Sequence, residues 1–466
     1  MTSWTPSLDG RQGPRYRAIA DAIADDVAHG RLSIGARLPT HRDLAARLGV
    51  TVGTITRAYS EAEKRGLIGG EVGRGTFVQG AEKPSQMRDS LSWPPAVENA
   101  AVNMTVVKAP QKAASAALAE TLREIAAQAD PAELLGYAPH GGLHRHRAAA
   151  AEWCNRRHRT FGLTAEDMLL TVGAQNAMAV AMAALARPGD VVLTERLTNY
   201  GVKALAATLG LHLEGVAIDD EGLTPDAFDS ACRRLGPKLL YTVPTLHNPT
   251  GAVMSEARRR EIAAIARRHD VLIIEDDVFG FLVDGARPYQ ALAPDVTVFI
   301  TGLSKSVAAG LRIGHVAAPP ALAPRLEATV RAMYYSAPPL PAEVATRWIH
   351  SGLADRFADR QREEDLARQA LARAILPRSC VHGHPASEHL WLTLPEPWRR
   401  EDFLAEAKRR GALVTGADVF TVGRAGAPHA VRVSLCLPET REDLTRGLRA
   451  LNEVLRDPAA TALSIL

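Results

Sequence analysis

The sequence has little of several features, and each shortage excludes a class of protein. Its 466 residues include only four cysteines, which lie tens of residues apart, so we expect neither a disulfide framework nor a cysteine-based zinc site. The longest apolar run, near residues 178–186, is far too short to span a membrane. The N-terminus also lacks the basic and apolar regions of a secretory signal. We therefore expect a reduced, cytoplasmic protein with no membrane partner.

Net charge is also scarce, at only +3, so any contact with nucleic acid must come from a local patch. Residues 1–80 supply that patch, because their eleven Lys and Arg outnumber eight Asp and Glu by as much as the whole chain's net charge. Residues 79–100 contain three prolines and show no helical or strand period, which indicates an extended linker. The chain length favours at least two domains. We predict a DNA-binding domain over 1–78, the linker, and a large domain over 101–466.

The first domain has the pattern of a helix-turn-helix with a wing. Apolar residues at a spacing of three and four predict one helix over about 16–27, and residues 43–48 predict a short second helix. Gly49 supplies the turn, and Thr51 caps a third helix that runs to about residue 65. A glycine-rich hairpin follows over 69–78, with Arg74 at its tip. The same pattern would suit a small helical dimerisation cap, so the pattern alone leaves both interpretations open.

The exact residues of this domain favour DNA binding. The string RLPTHRDLAARLGVTVGTITRAY, followed by RGLI and VGRGTFV, resembles the winged helix-turn-helix of GntR-family regulators over residues 12–78. The resemblance implies double-stranded operator DNA as a partner. It also implies the DNA contacts, which are Arg42, Thr51, Thr54, Arg57, Arg74 and Gly75. Many family members carry an arginine where this chain has Val52, so its operator sequence should differ from theirs.

In the large domain, apolar strand-like runs alternate with helical runs, which predicts an α/β fold with a mostly parallel sheet covered on both faces. Four strings carry chemistry: TVGAQNAM (171–178), HNPTG (247–251), VLIIEDDVFG (271–280) and SKSVAAGLRIGH (304–315). A lysine can form an imine with an aldehyde cofactor, and a nearby guanidinium suits a phosphate. Each string alone could instead be a solvated lysine, a surface carboxylate or a simple turn.

Together, in this order, the strings resemble fold-type I pyridoxal-phosphate enzymes of the aminotransferase class, over about residues 101–450. The resemblance implies pyridoxal 5'-phosphate as cofactor, with Lys305 as the Schiff-base lysine and Asp276 paired with the pyridinium nitrogen. Asn248 would hydrogen-bond the ring's phenolic oxygen. The remaining implied roles are phosphate binding by Arg312, Ala174 and Gln175, a contact from Tyr137 to the phosphate of a neighbouring subunit, and binding of an amino acid's α-carboxylate by Arg432.

Three departures from that family pattern lean towards sensing rather than turnover. Asn199 stands where a ring-stacking aromatic is usual, and Gly302 stands where a serine commonly assists the phosphate. Phe279, or Val278 in the alternative register, replaces a tyrosine near the phenolic oxygen. Two histidine-containing clusters, at 140–146 and 380–384, lack the carboxylates or cysteines that would complete a metal site, so we expect no metal.

A winged helix-turn-helix joined by a linker to an aminotransferase-like domain resembles the MocR-type subfamily of GntR regulators. The resemblance implies a homodimeric, pyridoxal-phosphate-dependent transcriptional regulator that senses the cofactor, an amino-compound effector, or both, through imine exchange at Lys305. The alternatives are an active aminotransferase, which transfers an amino group between an amino acid and a 2-oxo acid, and a sensor of the cofactor alone.

Overall fold

The computed structural model describes residues 4–8, 14–28, 31–32, 35–64, 67–71, 75–78, 101–107, 112–128, 131–160, 162–284, 287–423 and 426–457. The chain divides into two compact units, Met1–Ala96 and Val97–Leu466. The predicted linker, 79–100, and the wing residue Arg74 lie outside the described residues.

The first unit contains a helix-turn-helix followed by an antiparallel hairpin. Gly49, in the left-handed conformation, ends the second helix, and the Thr51 hydroxyl accepts from the Thr54 amide to begin the third. Ile19, Leu44 and Ile55 form the fully buried centre of the unit. In chain order the elements are α1 (Arg15–Ala28), α2 (His41–Leu48), α3 (Val52–Lys64), β1 (Ile68–Glu71) and β2 (Gly75–Val78).

The second unit is built on a seven-stranded sheet, as far as its residues are described. The strands in spatial order are β4 (Met168–Thr171), β12 (Gly314–Ala317), β11 (Thr297–Gly302), β10 (Leu272–Asp276), β9 (Leu239–Thr242), β5 (Val191–Glu195) and β6 (His212–Val216). Strand β12 is antiparallel to both of its neighbours, and the other pairs are parallel. The α/β fold with a mostly parallel central sheet is thereby confirmed.

Successive residues of a strand point to opposite faces of the sheet. Both faces of this sheet are apolar, and helices cover both of them. Val298 and Ile300 of β11 belong to one apolar cluster, whereas Phe299 belongs to another. The helices of the unit are α4 (Lys112–Gln128), α5 (Pro131–Leu135), α6 (His144–Arg157), α7 (Ala174–Leu185), α8 (Tyr200–Thr208), α9 (Pro225–Leu235), α10 (Glu256–Arg268), α11 (Tyr289–Leu292), α12 (Ala323–Met333), α13 (Pro339–His350), α14 (Leu353–Ile375), α15 (Arg400–Arg409) and α16 (Arg441–Arg456).

A smaller antiparallel sheet lies in the C-terminal part of the unit. Its spatial order is β13 (Val381–His382), β14 (His389–Thr393), β17 (Ala430–Ser434) and β16 (Thr415–Gly416). The segment 101–107 joins this region to the start of the unit, because β3 (Val102–Asn103) pairs in parallel with β15 (Ala412–Leu413). A short hairpin completes the strands, formed by β7 (Ile218–Asp219) and β8 (Gly222–Leu223).

All four cysteines are buried and unpaired with one another. Within the described ranges, no helix is both long and apolar enough to cross a membrane. In the same ranges, no group of three or more His, Cys, Asp or Glu residues could hold a metal ion. In the first of the two histidine-containing clusters, the His146 ring contacts the Glu343 carboxylate of α13 at 3.0 Å.

Candidate functional sites

The carboxyl ends of three neighbouring parallel strands bring three of the predicted site residues to one edge of the large sheet. Asp276 is the last residue of β10, Asn248 follows β9, and Lys305 follows β11. Strands β9 and β11 both pair with β10, so the residues that follow them lie at the same edge. Open α/β sheets bind their ligands at this edge. The structure therefore places these three residues where a ligand site is expected.

The carboxylate of Asp276 is buried and only half satisfied. Its Oδ2 accepts a hydrogen bond of 2.6 Å from the Tyr241 hydroxyl, whereas its Oδ1 is buried without a hydrogen-bond partner. Burial raises the pKa of Asp276 to about 6, against the opposing effect of the Tyr241 hydrogen bond. A carboxylate oxygen left without a partner inside a protein is costly. It therefore indicates a donor that a ligand would supply.

The raised pKa of Asp276 makes the stability of the ligand-free protein depend on pH. The folded chain keeps this proton up to about pH 6, whereas the unfolded chain, in which the pKa of the same carboxyl returns to its ordinary 3.8, loses it earlier. The folded state is therefore favoured at low pH and loses this advantage as the pH rises through that window. We expect its free energy of unfolding, relative to that of Asp276→Asn, to fall by about 2 kcal/mol between about pH 4.5 and 7.5. Urea unfolding at several pH values measures this difference, and a difference independent of pH would contradict the prediction.

Arg432, on β17, which is an inner strand of the small sheet, is a buried cation. Its side chain is only 2% exposed, and its guanidinium lies 4.7 Å from the centre of the Phe420 ring. One nitrogen donates to Asn248 Oδ1 at 2.8 Å and another to the Thr105 carbonyl at 2.6 Å, while Nε has no partner. Burial lowers the pKa of Arg432 to about 10, so the group stays charged at neutral pH.

The partners of Arg432 are all neutral. Among the described residues, no carboxylate lies in an ion pair with it, unlike Arg259, which is equally buried but lies 3.6 Å from Glu275. A buried charge normally requires a partner of opposite sign. The site therefore offers a preformed position for an anionic group.

Backbone carbonyls of the segment 105–107 accept hydrogen bonds from two of the charged site residues, Lys305 and Arg432. Lys305 Nζ donates to the Val107 carbonyl at 2.6 Å, and Arg432 donates to the Thr105 carbonyl. Between them, the Val106 carbonyl accepts from the Ser434 hydroxyl at 2.7 Å. A ligand that takes hold of Lys305 or Arg432 must therefore compete with this segment for their hydrogen bonds.

The predicted phosphate-binding residues meet where β4 leads into α7. The first residues of α7 are Ala174 and Gln175, and its N-cap, Gly173, provides no side-chain cap for their N–H groups. The exposed guanidinium of Arg312 lies against Gly173, where an added Cβ would stand 2.5 Å from Nη2. Arg312 otherwise makes only long hydrogen bonds, of 3.4 Å to Ser304 Oγ and to the Val172 carbonyl. These groups present donors to solvent in the way that phosphate sites do.

The structure also locates the residues that depart from the family pattern. Asn199 caps α8, because its side-chain oxygen accepts a hydrogen bond of 3.0 Å from the Gly201 amide. A side chain at Gly302 would stand 2.8 Å from the Ile313 carbonyl, so the backbone leaves no room for a serine there without movement. Phe279 is buried, with its ring centre 5.9 Å from Lys305 Nζ.

Tyr241 and the segment 105–107 are the site components that sequence reasoning missed. Tyr241 lies in KLLYTVPT, a run whose pattern indicates only a strand. Its position on β9, paired with Ile274 of β10, carries its hydroxyl to Asp276. The segment 105–107 contacts residues about 200 and 330 positions away, and no local sequence signal encodes such contacts.

In the first unit, the predicted DNA contacts occupy the solvent-facing side of α2 and α3. Arg42, Thr51 and Arg57 are exposed, and the Thr51 and Thr54 hydroxyls lie 2.9 Å apart. Gly75 begins β2 with a φ angle of +120°, which residues with a side chain rarely adopt, and an added Cβ would stand 2.8 Å from the Arg37 side chain. The fold itself therefore accounts for a glycine at position 75.

Known protein families match both units of the chain. The family "Aminotransferase class I and II" matches residues 102–451, and "Bacterial regulatory proteins, gntR family" matches residues 15–78. The uncharacterized HTH-type transcriptional regulator YdeF of Bacillus subtilis is 30% identical, over 98% of this chain and 97% of its own. The HTH-type transcriptional regulator TauR of Rhodobacter capsulatus is 27% identical, over 88% of this chain and 90% of its own.

Among solved structures, the kynurenine aminotransferase of Pyrococcus horikoshii is similar to the second unit in fold. It covers 80% of this chain and 93% of its own, with a TM-score of 0.72 and 20% identity. At that identity the likeness concerns the fold alone.

Proposed function

Because the chain belongs to the MocR-type regulators of the gntR family, in which a helix-turn-helix domain precedes an aminotransferase class I and II domain, we propose that it controls transcription by sensing an amino-compound effector at Lys305 and Arg432. DNA binding and pyridoxal phosphate follow from the family. The sensing of an effector, the homodimer and action in the cytoplasm are parts of the proposal.

The residues present fit pyridoxal phosphate. The unpartnered Oδ1 of Asp276 suits the protonated ring nitrogen, and Arg312 with the free N–H groups of Ala174 and Gln175 suits the phosphate. When bound, the cofactor supplies an aldehyde that reacts with primary amines and a ring that withdraws electrons. Asp276 would then stabilise the protonated ring nitrogen, and the Tyr241 hydroxyl, which donates to Asp276 Oδ2, would keep the carboxylate oriented.

One observation carries the proposal of effector sensing, and it is the buried Arg432 with no anionic partner among the described residues. A carboxylate-bearing amine would pair with this guanidinium and displace the Thr105 carbonyl. Lys305, once engaged by the cofactor, would release the Val107 carbonyl in the same way. Both exchanges act on the segment 105–107, which follows the predicted linker in the sequence. A ligand with different affinities for two arrangements of this segment would shift their populations.

The exposed surface around Tyr137 supports a homodimer. Tyr137 and Leu135 are each 86% exposed, and the Tyr137 ring packs 4.7 Å from that of Tyr335, which is itself exposed. Apolar side chains exposed together in this way indicate an interaction surface. We propose that a second copy covers it, with Tyr137 reaching the phosphate of the neighbouring site.

The proposal predicts that DNA binding responds to the ligands of the second unit. We expect the full chain to bind DNA from upstream of its own gene at least about tenfold more tightly than shuffled DNA at the same salt, and we expect pyridoxal phosphate with an amino acid to change that affinity. Fluorescence anisotropy with a panel of amino acids and simple amines measures both effects.

The competing functions give different results in the same preparation. A true aminotransferase would release 2-oxo acid steadily from an amino acid donor, with ping-pong kinetics, and its DNA affinity would not follow the donor. A sensor of the cofactor alone would respond to pyridoxal phosphate without any added amine. Binding that is indifferent both to DNA sequence and to ligand would overturn the regulator proposal.

A further inference from the structure

The start of α3 carries an apolar side chain that the fold leaves in solvent. Val52 is 44% exposed, and among the described residues of the first unit it is the only large hydrophobic side chain that is exposed. Its neighbours Thr51 and Gly53 are exposed as well, whereas Ile55 and Tyr59 of the same helix are buried in the core. Valine is also a weaker helix former than alanine or the long polar residues. Neither packing nor helix propensity therefore accounts for Val52.

The next residue, Gly53, is equally unexplained by the fold. It lies within the helix, without a positive φ angle, and an added Cβ would meet only the Thr51 hydroxyl oxygen, at 3.8 Å. An alanine would therefore fit, and it would favour the helix, because glycine is the weakest helix former after proline. Gly75 offers the contrast, since its φ angle of +120° is one that residues with a side chain rarely adopt. A glycine that its own fold does not need indicates a close approach by something outside it.

In a helix-turn-helix, the first residues of the second helix meet base edges in the major groove. Valine neither donates nor accepts a hydrogen bond, so against most base edges it would leave polar groups desolvated and unpaired. The thymine C5-methyl is the apolar feature that the major groove presents. The absence of a side chain at Gly53 would let the α3 backbone approach closely enough for Val52 to reach it.

We propose that Val52 reads a 5-methylpyrimidine, thymine in ordinary DNA, in each operator half-site, and that Gly53 permits the close approach this requires. The inference rests on the DNA binding included in the proposed function and adds the base that is recognised. The base-reading contact is an apolar one to a methyl group, where an arginine would instead select guanine.

The test removes the thymine methyl group from the DNA and, separately, the Val52 side chain from the protein. The full chain first selects its operator from random duplex DNA, and each thymine is then replaced singly by deoxyuridine, which lacks only the C5-methyl. We expect at least one thymine per half-site at which this replacement weakens binding about fourfold, the effect of one buried methyl group. In Val52→Ala the same replacement should have almost no effect, which gives a double-mutant cycle between one side chain and one methyl group.

Two further variants separate effects on operator binding from effects on the stability of the fold. Gly53→Ala should keep or raise the melting temperature and yet weaken operator binding about tenfold or more, because its methyl group would block the approach. Ser60→Ala, at an exposed position further along α3, serves as the matched control and should leave both binding and deoxyuridine sensitivity unchanged.

The outcomes distinguish a failure of base recognition by Val52 from a failure of the proposed regulator function. A selected operator that binds equally well with every thymine replaced, or a Gly53→Ala protein with full affinity, would overturn the reading by Val52 and leave the regulator proposal standing. A chain that selects no sequence from random DNA would overturn both.

Discussion

Replacing Lys305 with alanine is expected to prevent covalent attachment of pyridoxal phosphate and to weaken its binding by about 100-fold, or about 2.7 kcal/mol. Lys305 follows β11 at the ligand-binding edge of the sheet, and its only described hydrogen bond is to the Val107 carbonyl. Alanine removes the amine that reacts with the aldehyde but leaves Asp276, Asn248 and Arg312 in place. The remaining contacts should still bind the cofactor weakly.

Borohydride reduction followed by intact-mass measurement tests this directly, because it fixes a cofactor joined to a lysine. The chain should gain one phosphopyridoxyl group and the Lys305→Ala protein none. Lys203 offers a matched control, since its Nζ also donates to a backbone carbonyl, that of Val419 at 3.0 Å. Lys203→Ala should be labelled like the parent. Labelling that persists in Lys305→Ala would show that another lysine holds the cofactor.

The same variant separates the cofactor's attachment from the DNA response. Lys305→Ala should bind operator DNA with unchanged sequence preference but without a change of affinity on adding pyridoxal phosphate and effector. An effector response equal to that of the parent would mean that exchange at Lys305 is not the switch, even if the cofactor binds there.

The sequence predicted those parts of the molecule that local chemistry determines. Gly49 and Thr51 mark the turn between the two helices because a left-handed residue and a hydroxyl cap are local requirements, and the structure has both. The run VLIIEDD predicted a buried strand ending in carboxylates, and β10 ends at Asp276. A mostly parallel sheet then fixes which strand ends meet, so Asp276, Asn248 and Lys305 share an edge.

The contacts that tune the site could not be predicted, because they depend on three-dimensional packing. The hydrogen bond from Tyr241 to Asp276 needs the register between β9 and β10, which apolar runs do not specify. The missing anionic partner of Arg432 becomes visible only when every neighbouring side chain is known. The sequence marks Asn199 as a departure from an aromatic residue, but its role as the cap of α8 required the structure.

Replacing Arg432 with methionine is expected to reduce the affinity for carboxylate-bearing amines by about 10- to 100-fold, the range for a hydrogen bond to a charged group. Amines without a carboxylate should bind as they do to the parent, so the variant changes selectivity rather than general affinity. Titration of the cofactor-loaded protein with an amino acid and with the amine that lacks only its carboxyl group measures the ratio.

In Arg432→Met, the free energy of unfolding should rise or stay unchanged, although the affinity for carboxylate-bearing amines falls. Arg432 is a buried charge whose described partners are neutral, so an apolar side chain of similar length removes an uncompensated charge. The same replacement leaves the Thr105 carbonyl and Asn248 Oδ1 without their donor, which offsets part of that gain.

Arg368 is the matched control, because it is buried in the same unit but donates to the Leu435 and Pro438 carbonyls and pairs with Glu364. Arg368→Met should lower stability and leave the carboxylate preference intact. A parent-like preference in Arg432→Met would place the carboxylate elsewhere. A loss of stability without a change in preference would make Arg432 a structural residue.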